Sequence, residues 1–345
     1  MSTRLHLPVM TTEVIEFINI NSDGTYLDLT FGEGGHSEEF LKLGPKSLVG
    51  VDRDKSTLER YLATGDQRSN PKLGLVHCRF TEYLKSLEDN TVDGILIDLG
   101  VSTRQLLSTE RGFSFQHSSP LDMRMNPDEE KTLLERLQEM EAEEIALELR
   151  RNTDMEGSRS LARKIKWGLE QGTLKTTSDL AALVPKTHLK THPATVLFLG
   201  LRMLVNDELE EARVGVLESL RVLKPGGRLV VLTFHSTEDR QVKTLFNLEA
   251  GRCVCKNQRC LCPRVQKVKN LTPKPIVPSE SDRSRFFCVA SSFVRTKKIA
   301  IIDRMVPIPA TIMGDSTPIL LRLGIAAPRA AVERIAPQYD SYKSA

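Results

Sequence analysis

Residues Leu27 to Ser37 have the sequence LDLTFGEGGHS, which places three glycines within four positions directly after an apolar run. Residues 26–31 are apolar and β-branched enough to predict a buried strand, and residues 37–41 predict the start of a helix. A glycine-rich turn between a strand and a helix lets backbone approach a ligand closely, and the helix N-terminus offers free N–H groups. Such turns also occur without a ligand, so the loop alone leaves both interpretations open.

The length and composition indicate a globular protein. A chain of 345 residues is long enough for one large or two modest domains, and 40% hydrophobic with 27% charged residues is typical of soluble proteins. We expect no membrane association, because no apolar run approaches about 18 residues and no signal peptide is visible. Six cysteines are few for this length and favour a reducing compartment. The formal charge of +3 is too small to indicate a nucleic-acid partner by itself.

Strand and helix signals alternate along most of the chain. Further strands are predicted at residues 47–52, 73–80, 93–99 and 228–234, with helical segments between them. This alternation predicts a parallel sheet that binds ligands at the carboxyl ends of its strands. Residues 128–184 are helical and amphipathic instead, and a long helix is predicted from 194 to 223. We therefore predict an α/β fold in which a Rossmann-like sheet, residues 1–106 and 193–280, carries a helical insertion at 107–192.

The spacing of Asp52 narrows the choice of ligand. Asp52 lies twenty residues after Gly32, at the end of the second predicted strand, where nucleotide-binding sheets place an acid against ribose hydroxyls. Ser37 occupies the third fingerprint position, where a dinucleotide site favours glycine or alanine. A nicotinamide-dependent dehydrogenase is therefore disfavoured, and an adenosine ligand without pyrophosphate, such as S-adenosylmethionine (SAM), is favoured.

Seven motifs together resemble one family of RNA methyltransferases. They are HLPVM at 6–10, GEGGHS at 32–37, DLGVS at 98–102, RGFSF at 111–115, LDMRM at 121–125, NDEL at 206–209 and FHSTEDR at 234–240. The chain resembles the enzymes that modify the N4 amine of a cytosine in small-subunit ribosomal RNA, in particular their vertebrate mitochondrial branch. Bacterial members usually have leucine and glycine where this chain has Phe31 and Glu33, which favours the mitochondrial branch.

The resemblance implies a class I SAM-dependent methyltransferase that acts on small-subunit rRNA or on the assembling small subunit, with auxiliary assembly proteins as further partners. It places the protein in the mitochondrial matrix, with the bacterial cytoplasm as the alternative. The residues that it implies in cofactor binding are Gly34, Gly35, His36, Asp52, Phe80, Asp98 and Gln105. Taken without the resemblance, Phe80 would be interpreted as a core residue that follows a strand.

Asp98 and His235 are the candidate catalytic residues, since each follows a strand at the carboxyl edge of the sheet. Cytosine N4 is a poor nucleophile because its lone pair is delocalised into the ring, and an oxygen that accepts an N4–H bond would help it attack. Many amine methyltransferases supply this oxygen from an Asp/Asn-Pro-Pro-aromatic turn, whereas this turn has the sequence DLGV. Asp98 either acts alone or mainly holds the cofactor, and the cofactor role is favoured. The alternative for His235-Ser236 is capping of the next helix, with Ser236 as the cap.

The candidate substrate residues are Phe113, Phe115, Asn206 and Asp207. The two phenylalanines could stack an unpaired base, or they could anchor the insertion to the core. Asn206 and Asp207 are predicted to lie within a helix, where a solvated face is the usual explanation. The resemblance favours a substrate role without saying which of the two has it.

Two basic segments could contact RNA phosphates. Residues 252–274 contain seven basic and no acidic residues, and Arg159, Arg163, Lys164 and Lys166 form a second cluster in the insertion. Within the first segment, Cys253, Cys255, Cys260 and Cys262 could donate four thiolates to zinc. Their C-x-C spacing differs from the usual C-x2-C pattern, and we assign no metal site.

Two alternative functions remain open from sequence: a methyltransferase for another RNA or protein amine, and a non-catalytic assembly factor. The sequence does not indicate an oligomeric state. The resemblance ends near residue 280, where the family's basic segment and final strand are missing, although residues 286–294 could replace the strand in part. We predict that residues 281–345 form a divergent tail, largely disordered from about residue 295, and that this form is less stable and less active than one with the family's ending.

Overall fold

The computed structural model describes residues 8–66, 68–129, 131–184, 193–255, 265–272, 276–278 and 298–305. Its sheet has seven strands in the order β3-β2-β1-β4-β5-β7-β6. The strands are β1 Thr25–Asp28, β2 Ser47–Asp52, β3 Leu73–His77, β4 Val92–Asp98, β5 Leu223–Thr233, β6 Val268–Asn270 and β7 Lys298–Arg304.

Strands β1 to β5 are parallel, and β7 is inserted antiparallel between β5 and β6. The strand order reverses at β1, which pairs with β2 on one side and β4 on the other. Ligands of such sheets bind outside the carboxyl ends of the strands at this switch point. The predicted α/β fold with a Rossmann-like, mainly parallel sheet is confirmed.

The structure differs from the predicted tail at residues 298–304, which form β7, whereas the disorder predicted for the rest of the tail stays a prediction. Ile301 and Ile302 are fully buried on opposite faces of the sheet, and β7 pairs with β5 from Arg228 to Thr233. Successive side chains of a strand point to opposite faces, so Ile301 packs into one core of the sheet and Ala300 and Ile302 pack into the other. Residues 286–294, proposed from sequence as a partial substitute, lie outside the described residues, as do residues 306–345.

Twelve helices lie in the described part of the chain. They are α1 Thr11–Ile18, α2 Gly35–Lys42, α3 Lys55–Thr64, α4 Phe80–Ser86, α5 Thr103–Leu107, α6 Leu133–Glu139, α7 Ala142–Thr153, α8 Ser158–Glu170, α9 Thr177–Ala182, α10 Pro193–Asn206, α11 Glu208–Val222 and α12 Ser236–Glu249. None of these helices is long and apolar enough to cross a lipid bilayer.

Alternate residues of the central strand divide the core into two layers. Ile95 and Ile97 of β4 pack with α4, α11 and α12 on one face, whereas Leu96 packs with α1 and α2 on the other. A third core joins the insertion helices α6 to α9 to Leu197 and Leu201 of α10. The helical core therefore extends beyond the predicted boundary at residue 192.

The predicted helix from 194 to 223 is two helices. Asp207 adopts a left-handed conformation with φ 51°, which ends α10 and begins α11. Asp tolerates this conformation better than most residues, and Glu208, Glu210 and Glu211 then lie in the first turn of α11, where the helix dipole favours acids. The third strand is also shorter than predicted, because it ends at His77 and Phe80 already begins α4.

Candidate active site

A cleft opens at the carboxyl ends of β1, β2, β4 and β5. It encloses about 1330 Å³, part of it open to solvent. The residues that line it and were predicted from sequence are Gly35, His36, Asp52, Phe80, Asp98 and Gln105. Six of the seven predicted cofactor residues thus lie on one surface, and Gly34 lies beneath it as the N-cap of α2.

The glycine loop has the backbone that its sequence requires. Gly32 and Gly34 have φ of 54° and 76°, in the left-handed region that favours glycine. A Cβ on Gly34 would also come within 2.6 Å of the Tyr61 ring, which packs edge-on against Phe31 at 4.8 Å between centroids. The loop therefore turns tightly into α2 and presents the first turn of that helix to the cleft.

The Asp52 carboxylate holds the glycine loop by a hydrogen bond to its backbone. Its Oδ2 accepts the Gly32 N–H at 2.7 Å, and its Oδ1 accepts the Asp54 N–H at 2.8 Å. Burial raises the pKa of this carboxyl to about 6, despite the two backbone hydrogen bonds that favour its ionised form. Each oxygen retains a lone pair for a further donor, as a ribose hydroxyl would require.

Asp28 and Asp98 form an acidic floor beneath the cleft. Asp28 is fully buried and accepts the Ser37 hydroxyl at 2.7 Å, while Asp98 donates its backbone N–H to the Thr30 hydroxyl at 2.6 Å. Burial, with smaller contributions from the neighbouring Asp98 and Asp52, raises the pKa of Asp28 to about 7, although the hydrogen bonds from Ser37 and Thr30 lower it. The Nε2 of His36 lies 3.8 Å from Oδ2 of Asp98. The centre of the cleft is therefore strongly favourable for a cation.

Phe80 and Gln105 each combine a wall position with a structural contact. Phe80 lines the cleft and also belongs to the core, where its ring packs against Gly215 of α11. Gln105 accepts the Ser102 N–H at 3.0 Å and donates to Asp54 at 3.0 Å, which fixes α5 against the end of β2. The core interpretation of Phe80 and its wall position are thus both part of the structure.

His235, a candidate catalytic residue, does not line the cleft, whereas its neighbour Phe234 does. His235 is the N-cap of α12: its Nδ1 accepts the Glu238 N–H at 3.5 Å, and its Nε2 lies 3.2 Å from a Glu238 carboxylate oxygen. The predicted cap, Ser236, is the first helical residue instead. Burial raises the pKa of the Glu238 carboxyl, but the nearby His235 and Arg202 lower it more, so this pKa lies below its usual value. Phe234 lines the cleft, with its ring against Gly100.

Comparison with known proteins identifies the family. Residues 3–299 match the MraW methylase family. The chain belongs to this family.

Several bacterial relatives support the assignment. Each is called ribosomal RNA small subunit methyltransferase H. The protein from Carboxydothermus hydrogenoformans is 38% identical over 288 residues, covering 80% of this chain and 92% of the relative. That from Syntrophotalea carbinolica is 40% identical over 293 residues, with coverage of 80% and 92%. A solved rRNA methylase from Streptococcus thermophilus matches 88% of this chain and all of its own, with 8% identity and a TM-score of 0.39.

Members of this family are SAM-dependent methyltransferases, so the predicted enzyme class and cofactor are confirmed. The chemistry of the cleft fits SAM. The first turn of α2 suits a carboxylate, Asp52 suits the ribose, and the apolar wall at Phe80 suits a base. The Asp98 carboxylate, which lines the cleft, suits the positive sulfonium, whose methyl group is what the cofactor supplies when bound.

Phe113 and Phe115 do not line the cleft. Phe113 is 2% exposed within the helical core, and Phe115 packs edge-on against Phe198 at 5.1 Å. Phe113 is buried too deeply for a base to stack on its ring in this arrangement, and Phe115 is partly buried. Their positions favour the alternative interpretation, in which they anchor the insertion.

Asn206 and Asp207 are also placed by contacts within the protein. Asn206 is fully buried; its Oδ1 accepts the Met125 N–H at 2.7 Å, and its Nδ2 donates to the Met123 and Arg202 carbonyls at 2.8 Å. Asp207 is half-exposed and lies 3.5 Å from Arg136. The substrate role predicted for Asn206 does not fit, because its amide holds the LDMRM loop.

Two ion pairs at the cleft are not predicted by the sequence. Arg53, directly after Asp52, donates to Glu129 at 2.7 Å and to the Asn206 carbonyl at 3.1 Å, which ties the sheet to the insertion. Arg104 of α5 donates to Glu33 of the glycine loop at 2.8 Å. The sequence contains one signal for Arg53, because this residue directly follows a strand at the carboxyl edge of the sheet, where ligands bind. Their partners lie more than seventy residues away, and no local pattern reveals them.

The cysteine cluster is described only in part. Sγ of Cys253 lies 3.3 Å from Sγ of Cys255, and Cys260 and Cys262 lie outside the described residues. Among the residues that the structure describes, no group of three or more His, Cys, Asp or Glu side chains is placed to hold a metal.

Proposed function

We propose that this protein transfers the methyl group of SAM to the exocyclic N4 of a cytosine in small-subunit ribosomal RNA. One observation carries the proposal beyond the family: the Asp98 carboxylate and the Phe234 ring lie on the same cleft, beside the turn at Gly100. An acceptor for an amine proton next to an aromatic face is what a flipped cytosine requires. The names of the bacterial relatives support the choice of RNA.

Asp98 is the group that acts on the amine. Its carboxylate accepts an N4–H, which increases electron density on the nitrogen and orients its lone pair towards the methyl group. Transfer breaks the bond between the methyl group and the sulfonium sulfur, which becomes a neutral thioether, and N4 then carries a positive charge. The proton that N4 must lose passes to the Asp98 carboxylate that accepts its N–H, and from there to solvent.

Phe234 positions the base. Gly100 has φ of 112° and no side chain, so the ring of Phe234 can lie close to the turn that carries Asp98. The Phe234 N–H donates to the buried Glu238 at 2.8 Å, which fixes the backbone at the end of β5. A base stacked on this ring would present its amine to Asp98.

The test uses purified protein, labelled SAM and small-subunit RNA that lacks the modification. We expect N4-methylcytidine in a nuclease digest of the RNA, and we expect Asp98→Ala to abolish it while the protein remains folded. Label in another nucleoside or in protein would support a different amine substrate. SAM binding without any transfer, to free RNA or to assembling subunits, would support a non-catalytic assembly factor.

We further infer that the substrate is the mitochondrial 12S RNA, and that the protein works in the mitochondrial matrix. The support is the departure from the bacterial pattern at Phe31 and Glu33. Each departure has a matching partner: Tyr61 packs against Phe31, and Arg104 pairs with Glu33. Fractionation of vertebrate cells that express the tagged protein tests the compartment, and recovery outside mitochondria would contradict it.

A further inference from the structure

The exposed face of α8 combines the only tryptophan of the sequence with unpaired cations. Trp167 is 62% exposed, and Arg163 and Arg159 precede it by one and two helical turns. Residues four apart lie on one helical face, so the three side chains form a stripe about 12 Å long. Lys164 is exposed beside them.

The positive charges of this stripe do not stabilise helix α8. The first turn of α8 contains no acidic residue but does contain Arg159, where the helix dipole disfavours a positive charge. In the described part of the chain, no carboxylate lies within ion-pairing distance of Arg159, Arg163 or Lys164, whereas many other exposed arginines, such as Arg151 and Arg213, have such partners. The stripe is therefore a positive surface that no carboxylate of the described residues neutralises by an ion pair.

A contact just before α8 links the insertion to α12, the helix that follows the cleft residue Phe234. Asp154, which ends α7 just before α8, accepts a hydrogen bond from Arg240 of α12 at 2.8 Å. The cap of α12 is His235, and Phe234 of the cleft precedes it directly. Arg159 therefore follows by five residues a side chain that contacts α12.

We infer that Arg159, Arg163 and Trp167 bind a single-stranded segment of the RNA that flanks the target base, with one base stacked on the indole of Trp167. Cations that follow a phosphate backbone, together with an exposed aromatic ring, are the combination by which proteins hold single strands. A duplex offers no unstacked base, and a polyanion without bases offers nothing for the ring. The inference rests on the proposed function only in taking RNA as the substrate.

Because Trp167 is the single tryptophan, its fluorescence reports directly on the stripe. The full chain is titrated with a short single-stranded oligoribonucleotide of cytidine and uridine, with the same sequence in a duplex, and with heparin. We expect quenching by the single strand alone. Equal quenching by heparin, or binding of the single strand without quenching, would overturn the stacking on Trp167.

Variants separate the ring from the charges. Affinity for the single strand, measured by anisotropy of a labelled oligoribonucleotide, should fall about 5- to 100-fold in Trp167→Ala. It should also fall in Arg163→Ala, with a salt dependence shallower by about one ion. The matched control is Lys72→Ala, which removes one exposed cation before β3 at the opposite edge of the sheet and should leave both unchanged.

The two proposals fail separately. If RNA affinity is the same in Trp167→Ala and the unchanged protein, the stripe serves another partner, such as a protein, and the inference is wrong even if cytosine is methylated. If quenching and the variant effects appear but no N4-methylcytidine forms, the RNA surface stands and the proposed reaction is wrong. SAM affinity should be the same in all of these variants, which confirms that each is folded.

Discussion

Asp28 shows how a single buried carboxyl sets a pH dependence. Its pKa is about 7 in the folded protein and about 3.8 in the unfolded chain, so the unfolded state ionises first as pH rises. Stability is therefore lost progressively from about pH 4 to pH 7, and the loss is complete above that range. The cost is of the order of 4 kcal/mol at neutral pH, because each pKa unit corresponds to about 1.4 kcal/mol.

Replacing Asp28 by asparagine removes this ionisation and keeps one oxygen, which can accept the Thr30 N–H that Oδ1 accepts now, while the amide nitrogen at the Oδ2 position can donate to the Ser37 hydroxyl oxygen. In urea titrations of the cofactor-free protein, Asp28→Asn should raise the free energy of unfolding at pH 8 by about 1–4 kcal/mol and leave it unchanged near pH 4. Asp23→Asn, at an exposed position, is the control. A gain of the same size at every pH would contradict the buried-carboxyl explanation.

The phenylalanines can be separated by what each one touches. Phe234→Leu removes a ring from the cleft, so kcat/KM for RNA should fall about 5- to 100-fold while SAM affinity stays within about twofold. The double variant Phe113→Leu, Phe115→Leu alters the helical core, so it should lower the melting temperature without a selective loss of transfer. The reverse pattern would restore the base-stacking role predicted from sequence.

The sequence alone predicted the location of those site residues that lie at the end of a strand. Asp52 and Asp98 end β2 and β4, the two parallel strands that flank β1, and the carboxyl ends of parallel strands meet at one edge, so their meeting in the cleft followed from the pattern. Asn206 could not be placed in this way. Its partner Met125 lies 81 residues away, and only the folded insertion brings the two together.

At the scale of elements, the junction between α10 and α11 organises one wall of the cleft. Arg202 and Glu208 form a buried bidentate pair, with both N–O distances 2.8 Å, across the break at Asp207. Asn206, at the end of α10, holds the LDMRM loop, whose Met125 lines the cleft. The break was missed because the apolar period continues through it, although an Asn-Asp pair followed by acidic residues is a usable signal of a new helix.

Asn206→Ala should disturb this wall without touching a ligand. The Met125 N–H and the Met123 carbonyl lose their partners, and each buried unsatisfied group costs about 1–3 kcal/mol. We expect a lower melting temperature, together with weaker RNA methylation, whereas Asn70→Ala, at a surface turn, should change neither. Loss of methylation with an unchanged melting temperature would indicate direct substrate contact instead.

For the molecule as a whole, β7 decides where the fold ends. A chain that ends at residue 306 keeps β7, whereas one that ends at residue 290 loses Ile301 and Ile302, each fully buried. Losing a buried isoleucine side chain costs about 2–5 kcal/mol, and whole domains have about 5–15 kcal/mol of stability. We expect the longer chain to melt and methylate like the full protein and the shorter one not to fold.

Hydrogen exchange gives an independent measurement of the same element. Amides of residues 299–304 should be protected to the same degree as those of β5, because the two strands pair over six positions. Rapid exchange there would contradict the sheet order and would favour the disorder predicted from sequence. The prediction that a chain with the family's own ending is more stable and more active than this one stays to be tested by direct comparison.

The late position of β7 also has a consequence for synthesis. Chains leave the ribosome from the N-terminus, so β1 to β5 and every residue assigned to the cofactor emerge before the strand that covers β5. Until Ile301 and Ile302 follow, neither hydrophobic layer is closed, and a row of backbone groups along β5 is available to other nascent chains. A product cut short by even a few dozen codons before this point would contain every residue assigned to the cofactor but would not fold. Completion of translation thus acts as a checkpoint, which leaves incomplete copies to chaperones and proteases.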